Sequence, residues 1–196
     1  MIGSIALGGG SGKALLYGDT LASPGAAGGE GLGPRMRTLL NSEDGVELQT
    51  QPFPKGAYPI HAACAGADAE FAREKWQTIY VSLGLADCRA GTPPRKFARG
   101  VDFLIDRASV MAPQARLVIV GPPPEWTRET FFERYADAVR EMVVRHRVEY
   151  VDLLSFMESL DAPGADCRES GADDGVRFPY PLGPAMDAIA DEVLSR

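Results

Sequence analysis

The chain has 196 residues, 45% hydrophobic and 24% charged, enough for one substantial core and short for two. A net charge of −7, from 27 acidic against 20 basic residues with no basic run, removes the phosphate-neutralising surface that nucleic-acid binding draws on. No apolar run approaches the ~20 residues of a bilayer span, no signal-peptide pattern opens the chain, and three cysteines without a C-x-x-C pair fit neither a disulfide framework nor a zinc site. These features predict a soluble chain with reduced thiols in a cytoplasm, with no membrane, nucleic acid, metal or cofactor among its partners.

Residues 1–13 are glycine-rich and without periodicity, so they read as a flexible lead-in, and 14–196 reads as a single domain. A short apolar strand at 14–17 is stopped by Gly18 and Asp19. After a Gly-, Ala- and Pro-rich stretch at 23–33, Met36, Leu39 and Leu40 take up helical spacing. Residues 46–50 alternate as a strand, and Pro52, Pro54 and Gly56 break it ahead of a helix from about Tyr58 to Lys75. The β-branched and aromatic run 78–83 is a strand stopped at Gly84. In the helix that follows, 97–111, Phe97, Val101, Leu104, Ile105 and Ala108 share one face. Residues 117–120 form a nearly continuous apolar strand ended by Gly121 and three prolines, the pattern of a strand covered on both faces. The longest helix, 127–147, carries Phe131, Tyr135, Ala138, Met142 and Val143 on one stripe, and 148–153 reads as the fifth strand. A helix from Leu182 or Pro184 to Leu194 closes the chain with Met186, Ile189, Ala190 and Val193 inward.

Five strands alternating with five helices predict an α/β fold built on a doubly wound parallel sheet. Ligands of such sheets bind outside the carboxyl ends of the strands. Residues 18–21, Gly56, 84–88, 121–125 and the loop before the last helix are therefore where chemistry is expected. Two glycine motifs do not qualify. Residues 8–13 (Gly-Gly-Gly-Ser-Gly-Lys) lack the first glycine and the hydroxyl residue of a phosphate loop, having Leu7 and Ala14 there, and they precede the first strand. Gly29, Gly31 and Gly33 are followed by Pro34 in place of a dinucleotide-fingerprint residue and do not directly follow a strand. The only histidines, His61 and His146, sit in helical patterns outside any metal-spaced cluster and read as surface or packing residues.

Four blocks in order mark the strand ends: Gly18-Asp19-Thr20-Leu21; Gly56; Gly84-Leu85-Ala86-Asp87; and Asp174-Gly175-Val176-Arg177-Phe178-Pro179. With the Val-Ile-Val-Gly-Pro run at 118–122, they make the chain resemble the SGNH or GDSL hydrolase family from about Ala14 to the C-terminus. The resemblance implies a three-layer α/β/α sandwich around a five-stranded parallel sheet, flavodoxin-like in architecture. It places Thr20 at the serine nucleophile's position, Gly56 at the oxyanion-hole glycine, Ala86 at the oxyanion asparagine, and Asp174 and Arg177 at the triad's acid and histidine. Asp19, Gly84 and Asp87 take the remaining positions of the blocks as binding candidates.

The substitutions bear on chemistry. An internal threonine hydroxyl needs a base, and an arginine that stays protonated cannot be one. Loss of an oxyanion donor typically costs ~10²–10³ in rate, and loss of a triad member costs more. Three functions follow: binding of a ligand or partner by a degenerate site; repurposed crevice chemistry using Thr20, Asp19, Asp87, Cys88 and Arg177; or ester hydrolysis or acyl transfer by Thr20 with an unrecognised base. Arg177 has two readings, a loop ion pair with Asp174 or a seat for an anionic group, and Asp19 reads as a loop organiser. Cys64 and Cys88 read as small buried hydrophobes, with Cys88 the more interesting because it follows Asp87 at a strand end. The expected partner is a small molecule, anionic on one reading of Arg177; the sequence does not specify an oligomeric state.

Overall fold

The computed structural model describes residues 12–19, 32–43, 45–122, 129–159 and 182–195. Five strands, β1 (Lys13–Gly18), β2 (Glu47–Pro52), β3 (Thr78–Ser82), β4 (Arg116–Val120) and β5 (Glu149–Val151), pair in parallel in the order β2-β1-β3-β4-β5. That is a flavodoxin-like order, whose direction of winding reverses between β1 and β3. Among the described residues the helices are α1 (Leu32–Glu43), α2 (Pro59–Ala72), α3 (Leu85–Ala90), α4 (Pro94–Met111), α5 (Glu129–His146), α6 (Leu153–Ser159) and α7 (Leu182–Leu194). α1 and α7 pack together, and α2, α4 and α5 pack in sequence, which makes two helical layers around the sheet.

Strand composition follows from this layering. β1 and β3, at the centre, are buried almost throughout, because a strand covered on both faces has no solvent side on which to place polar groups. β2, at one edge, reads Glu-Leu-Gln-Thr-Gln-Pro and buries only Leu48. Its polar side chains and terminal proline blunt an edge that would otherwise offer unpaired backbone groups. On one side Tyr17 sends its ring between Phe53 and Phe71 and donates its hydroxyl to the Ala63 carbonyl of α2 at 2.8 Å. On the other, Leu40 and Leu194 lie over Ala14, Thr78 and Tyr80 around a small cleft.

α2 and α4 run side by side in the same direction, with Ile60 and Cys64 against Gly100 and Asp68 paired to Arg107 at 2.5 Å. A side chain at Gly100 would land on Ile60 Cγ1, so the glycine permits this close approach. Gly84 is the other required glycine. With φ of 105° it turns the chain from β3 into α3, a backbone conformation that L side chains rarely adopt.

The strand ends differ from expectation in instructive ways. Lys13, assigned to the lead-in, opens β1. β5 stops at Val151, and Leu153, expected to end the strand, instead opens α6 together with the buried Leu154. Periodicity alone does not separate a short buried strand from a short buried helix. α3 was not anticipated either, since six residues are too few to display a helical period.

Candidate functional site

The strand ends converge on a crevice of roughly 650 Å³ lined by Gly18 and Asp19 after β1, residues 51–56 of β2 and its following loop, Pro59 of α2 and Ala86 of α3. It opens beside the β1/β3 reversal, where ligands of such sheets bind. Pro52, Phe53, Pro54 and Pro59 give it an apolar wall; Gln51, Lys55 and Asp19 supply its polar groups.

Two buried acids hold the floor and wall in place. Asp19, 5% exposed, donates its N–H to the Ser82 carbonyl and accepts the Ala86 N–H on Oδ2, both at 3.0 Å. The Ala86 amide belongs to the first turn of α3, where backbone donors lack helical acceptors, so Asp19 caps that helix from across the sheet. Asp87 performs the same service for α2. Tyr58, at the N-cap of α2, gives no side-chain cap, and Pro59 has no N–H to offer. Asp87 Oδ1 instead accepts the Ile60 N–H at 3.2 Å and the Thr92 hydroxyl at 2.6 Å. Burial pushes the Asp87 carboxyl above the ordinary carboxylate range, with the Thr92 and Ile60 hydrogen bonds and nearby His61 pulling the other way. The Tyr135 hydroxyl, donated to the Thr92 carbonyl, fastens the far side of this network to α5.

Of the residues singled out from the sequence, Asp19, Gly56 and Ala86 come together in the crevice. Gly84 and Asp87 are not among its lining residues: Gly84 is the turn into α3, and Asp87 is a fully buried capping acid. Thr20, Asp174 and Arg177 lie outside the described residues, as does Cys167. Cys88 packs α3 into the core at 3% exposure. Cys64 donates its thiol to the Gly100 carbonyl at 3.5 Å, and burial together with Asp87 pushes that thiol up to about 11, which suppresses thiolate chemistry. His61 is exposed and meets the Tyr58 ring edge at 5.5 Å, while His146 holds Asp102 at 2.6 Å on the α4–α5 seam. Gln51, Phe53, Lys55 and Pro59 were not singled out; they follow β2 in a proline-broken stretch whose crevice-facing character only the three-dimensional turn reveals. Among the described residues no group of three or more His, Cys, Asp or Glu could hold a metal ion, and no helix is long and apolar enough to cross a membrane.

Solved structures share this architecture. An alpha/beta hydrolase from the metagenome of Lake Arreo, Spain, is 16% identical, with a TM-score of 0.71 and 94% of each chain covered. The lipase/acylhydrolase from Enterococcus faecalis is 15% identical, with a TM-score of 0.70 and 94% of each chain covered. A psychrotrophic esterase from Pseudoalteromonas sp. is 18% identical, with a TM-score of 0.68 and 93% of this chain and 94% of its own covered. At such identities the likeness is one of fold. No curated protein matches the chain in sequence. The family model described as "GDSL-like Lipase/Acylhydrolase family" matches residues 16–179, which contain the crevice-lining positions and all four sequence blocks, and the chain belongs to that family.

Proposed function

We propose that the chain binds a small-molecule ligand in the strand-end crevice and does not carry out ester hydrolysis by a serine–histidine pair. The placement of its histidines carries this reading. The chain has two, and neither His61 nor His146 is among the residues lining the crevice. A threonine hydroxyl is a poor nucleophile without a base, and Thr20 stands at the position of the family's serine. Arg177, at the position of the family's histidine, keeps its proton at any biological pH and cannot accept one from a hydroxyl. Ala86 contributes a methyl group where an asparagine would donate to an oxyanion, and its own N–H is taken by Asp19.

The apolar wall and the few polar groups of the crevice suit a small amphiphilic molecule. The lipase and esterase names of the structural neighbours support an ester or acid of that kind. An odd count of three cysteines without a C-x-x-C pair supports a reducing compartment such as the cytoplasm.

Rebuilding the missing groups tests the reading. The triple variant Thr20→Ser, Ala86→Asn, Arg177→His restores a nucleophile, an oxyanion donor and a base beside the existing Asp174. It should gain weak hydrolysis of p-nitrophenyl acetate, whereas the parent and each single variant should show none above background, because triad members act as a unit. Turnover by the parent at the triple variant's rate would contradict the proposal. A folded but inert triple variant would contradict the view that these three residues account for the missing chemistry.

A further inference from the structure

We infer that the ligand of this crevice carries an oxyanion head, a carboxylate or a phosphate, and that Lys55 and Lys96 form its seat at the crevice mouth. The inference rests on the ligand-binding reading above and adds the chemical class of the ligand.

Charge placement is the first ground. The chain is acidic overall, at −7, yet no Asp or Glu occurs from Phe53 to Ala67 or from Cys88 to Val101, while Lys55, Arg89, Arg95, Lys96 and Arg99 do. These two stretches lead into and form the first turns of α2 and α4, which run in the same direction and bring both N-termini to the crevice end of the sheet. Helix N-termini favour acids in the first turn, and neither helix has one; α4 instead places Arg95 and Lys96 there, against its own dipole. The acids of these helices, Asp68 and Glu70 on α2 and Asp102 and Asp106 on α4, lie further along. Asp19, the one acid among the described residues that lines the crevice, is 5% exposed and engaged with the Ala86 N–H, and Asp87 behind it is fully buried and hydrogen-bonded. A local charge pattern that opposes helix stability is one that ligand recognition can account for.

Geometry is the second ground. Lys55 lines the crevice and has no ion-pair partner among the described residues. The Lys96 ammonium is held over the Tyr58 ring, 5.3 Å from its centroid, and His61 meets the same ring edge-on. Tyr58 lies in the chain between Gly56 and Pro59, both of which line the crevice, so the cation–π contact ties Lys96 to the segment that forms the crevice wall. Pro52, Phe53, Pro54 and Pro59 then face the ligand's apolar body while the two ammonium groups take its head.

Calorimetric titration of the full chain with hexanoate, hexyl phosphate and neutral hexan-1-ol tests this. At least one of the two anions should bind about tenfold or more tightly than hexanol, as charge-assisted contacts imply. In the Lys55→Gln, Lys96→Gln double variant that preference should vanish while hexanol binding is unchanged. Lys75→Gln, at the opposite end of the sheet, should leave all three as in the parent. Whichever anion binds more tightly identifies the head group and supports the inference. Equal binding of anions and alcohol, or an anion preference that survives the double substitution, would overturn it while leaving the ligand-binding reading in place. Failure of all three molecules to bind would overturn both.

Discussion

Asp19 and Asp87 show how much a single carboxylate can organise when it caps a helix that is remote in sequence. Asp19 reaches the first turn of α3 across 67 residues, and Asp87 reaches the first turn of α2 across 27. Each neutralises a positive helix end at the crevice, and together they tie β1, α3 and the α2 wall into one unit. Both positions stood out in the sequence as members of short motif blocks, but their role as caps did not, since no local pattern connects Asp87 with Ile60. The buried Asp87 makes a pH prediction. Its carboxyl titrates above the ordinary range because burial disfavours the charge, so the folded chain holds that proton more tightly than the unfolded chain does. The associated stability is complete below the unfolded-state carboxylate value and is lost as pH rises through the folded-state value. Asp87→Asn keeps an oxygen acceptor for Ile60 and Thr92 and removes the charge. Urea unfolding of both proteins across this window should therefore show the variant gaining on the parent with rising pH, then holding level once Asp87 is ionised. A parent that gains on the variant over the same range would mean that the carboxylate is stabilised by a positive partner.

The central strands were legible at the level of elements because their chemistry is uniform. β1, β3 and β4 are apolar runs closed by glycine or by the end of the sheet, and burial on both faces leaves little room for any other reading. Short elements were less legible, as α3 and the β5–α6 boundary show, because their identity is set by packing against neighbours. The α2–α4 contact is likewise a tertiary feature written in one small residue. Gly100 lies inside α4, where alanine would ordinarily be favoured by about 1 kcal/mol, yet a Cβ there meets Cγ1 of the fully buried Ile60. Overpacking of a tight core costs roughly 1–3 kcal/mol, so it outweighs the propensity gain. Gly100→Ala should lower stability by about 1 kcal/mol, read as a lower urea midpoint with unchanged m-value. A midpoint raised by the substitution would show that α2 and α4 separate at little cost.

The fold brings the ends of β1 and β2 and the start of α3 to one crevice beside the β1/β3 reversal, and its location is the most readable feature of the sequence. Alternating strands and helices fix the wound sheet, and the sheet fixes which end binds ligands. The positions after β1 and β3 and Gly56 were found that way, whereas Gln51, Phe53, Lys55 and Pro59 emerged only from the path of the loop after β2. The family's architecture is therefore retained around a crevice that neither of the chain's histidines lines. The most direct test of that account compares p-nitrophenyl butyrate hydrolysis by the parent and by its Thr20→Ala variant at equal concentration. The account predicts equal, background-level rates for the two proteins; robust turnover by the parent that the substitution abolishes would contradict it.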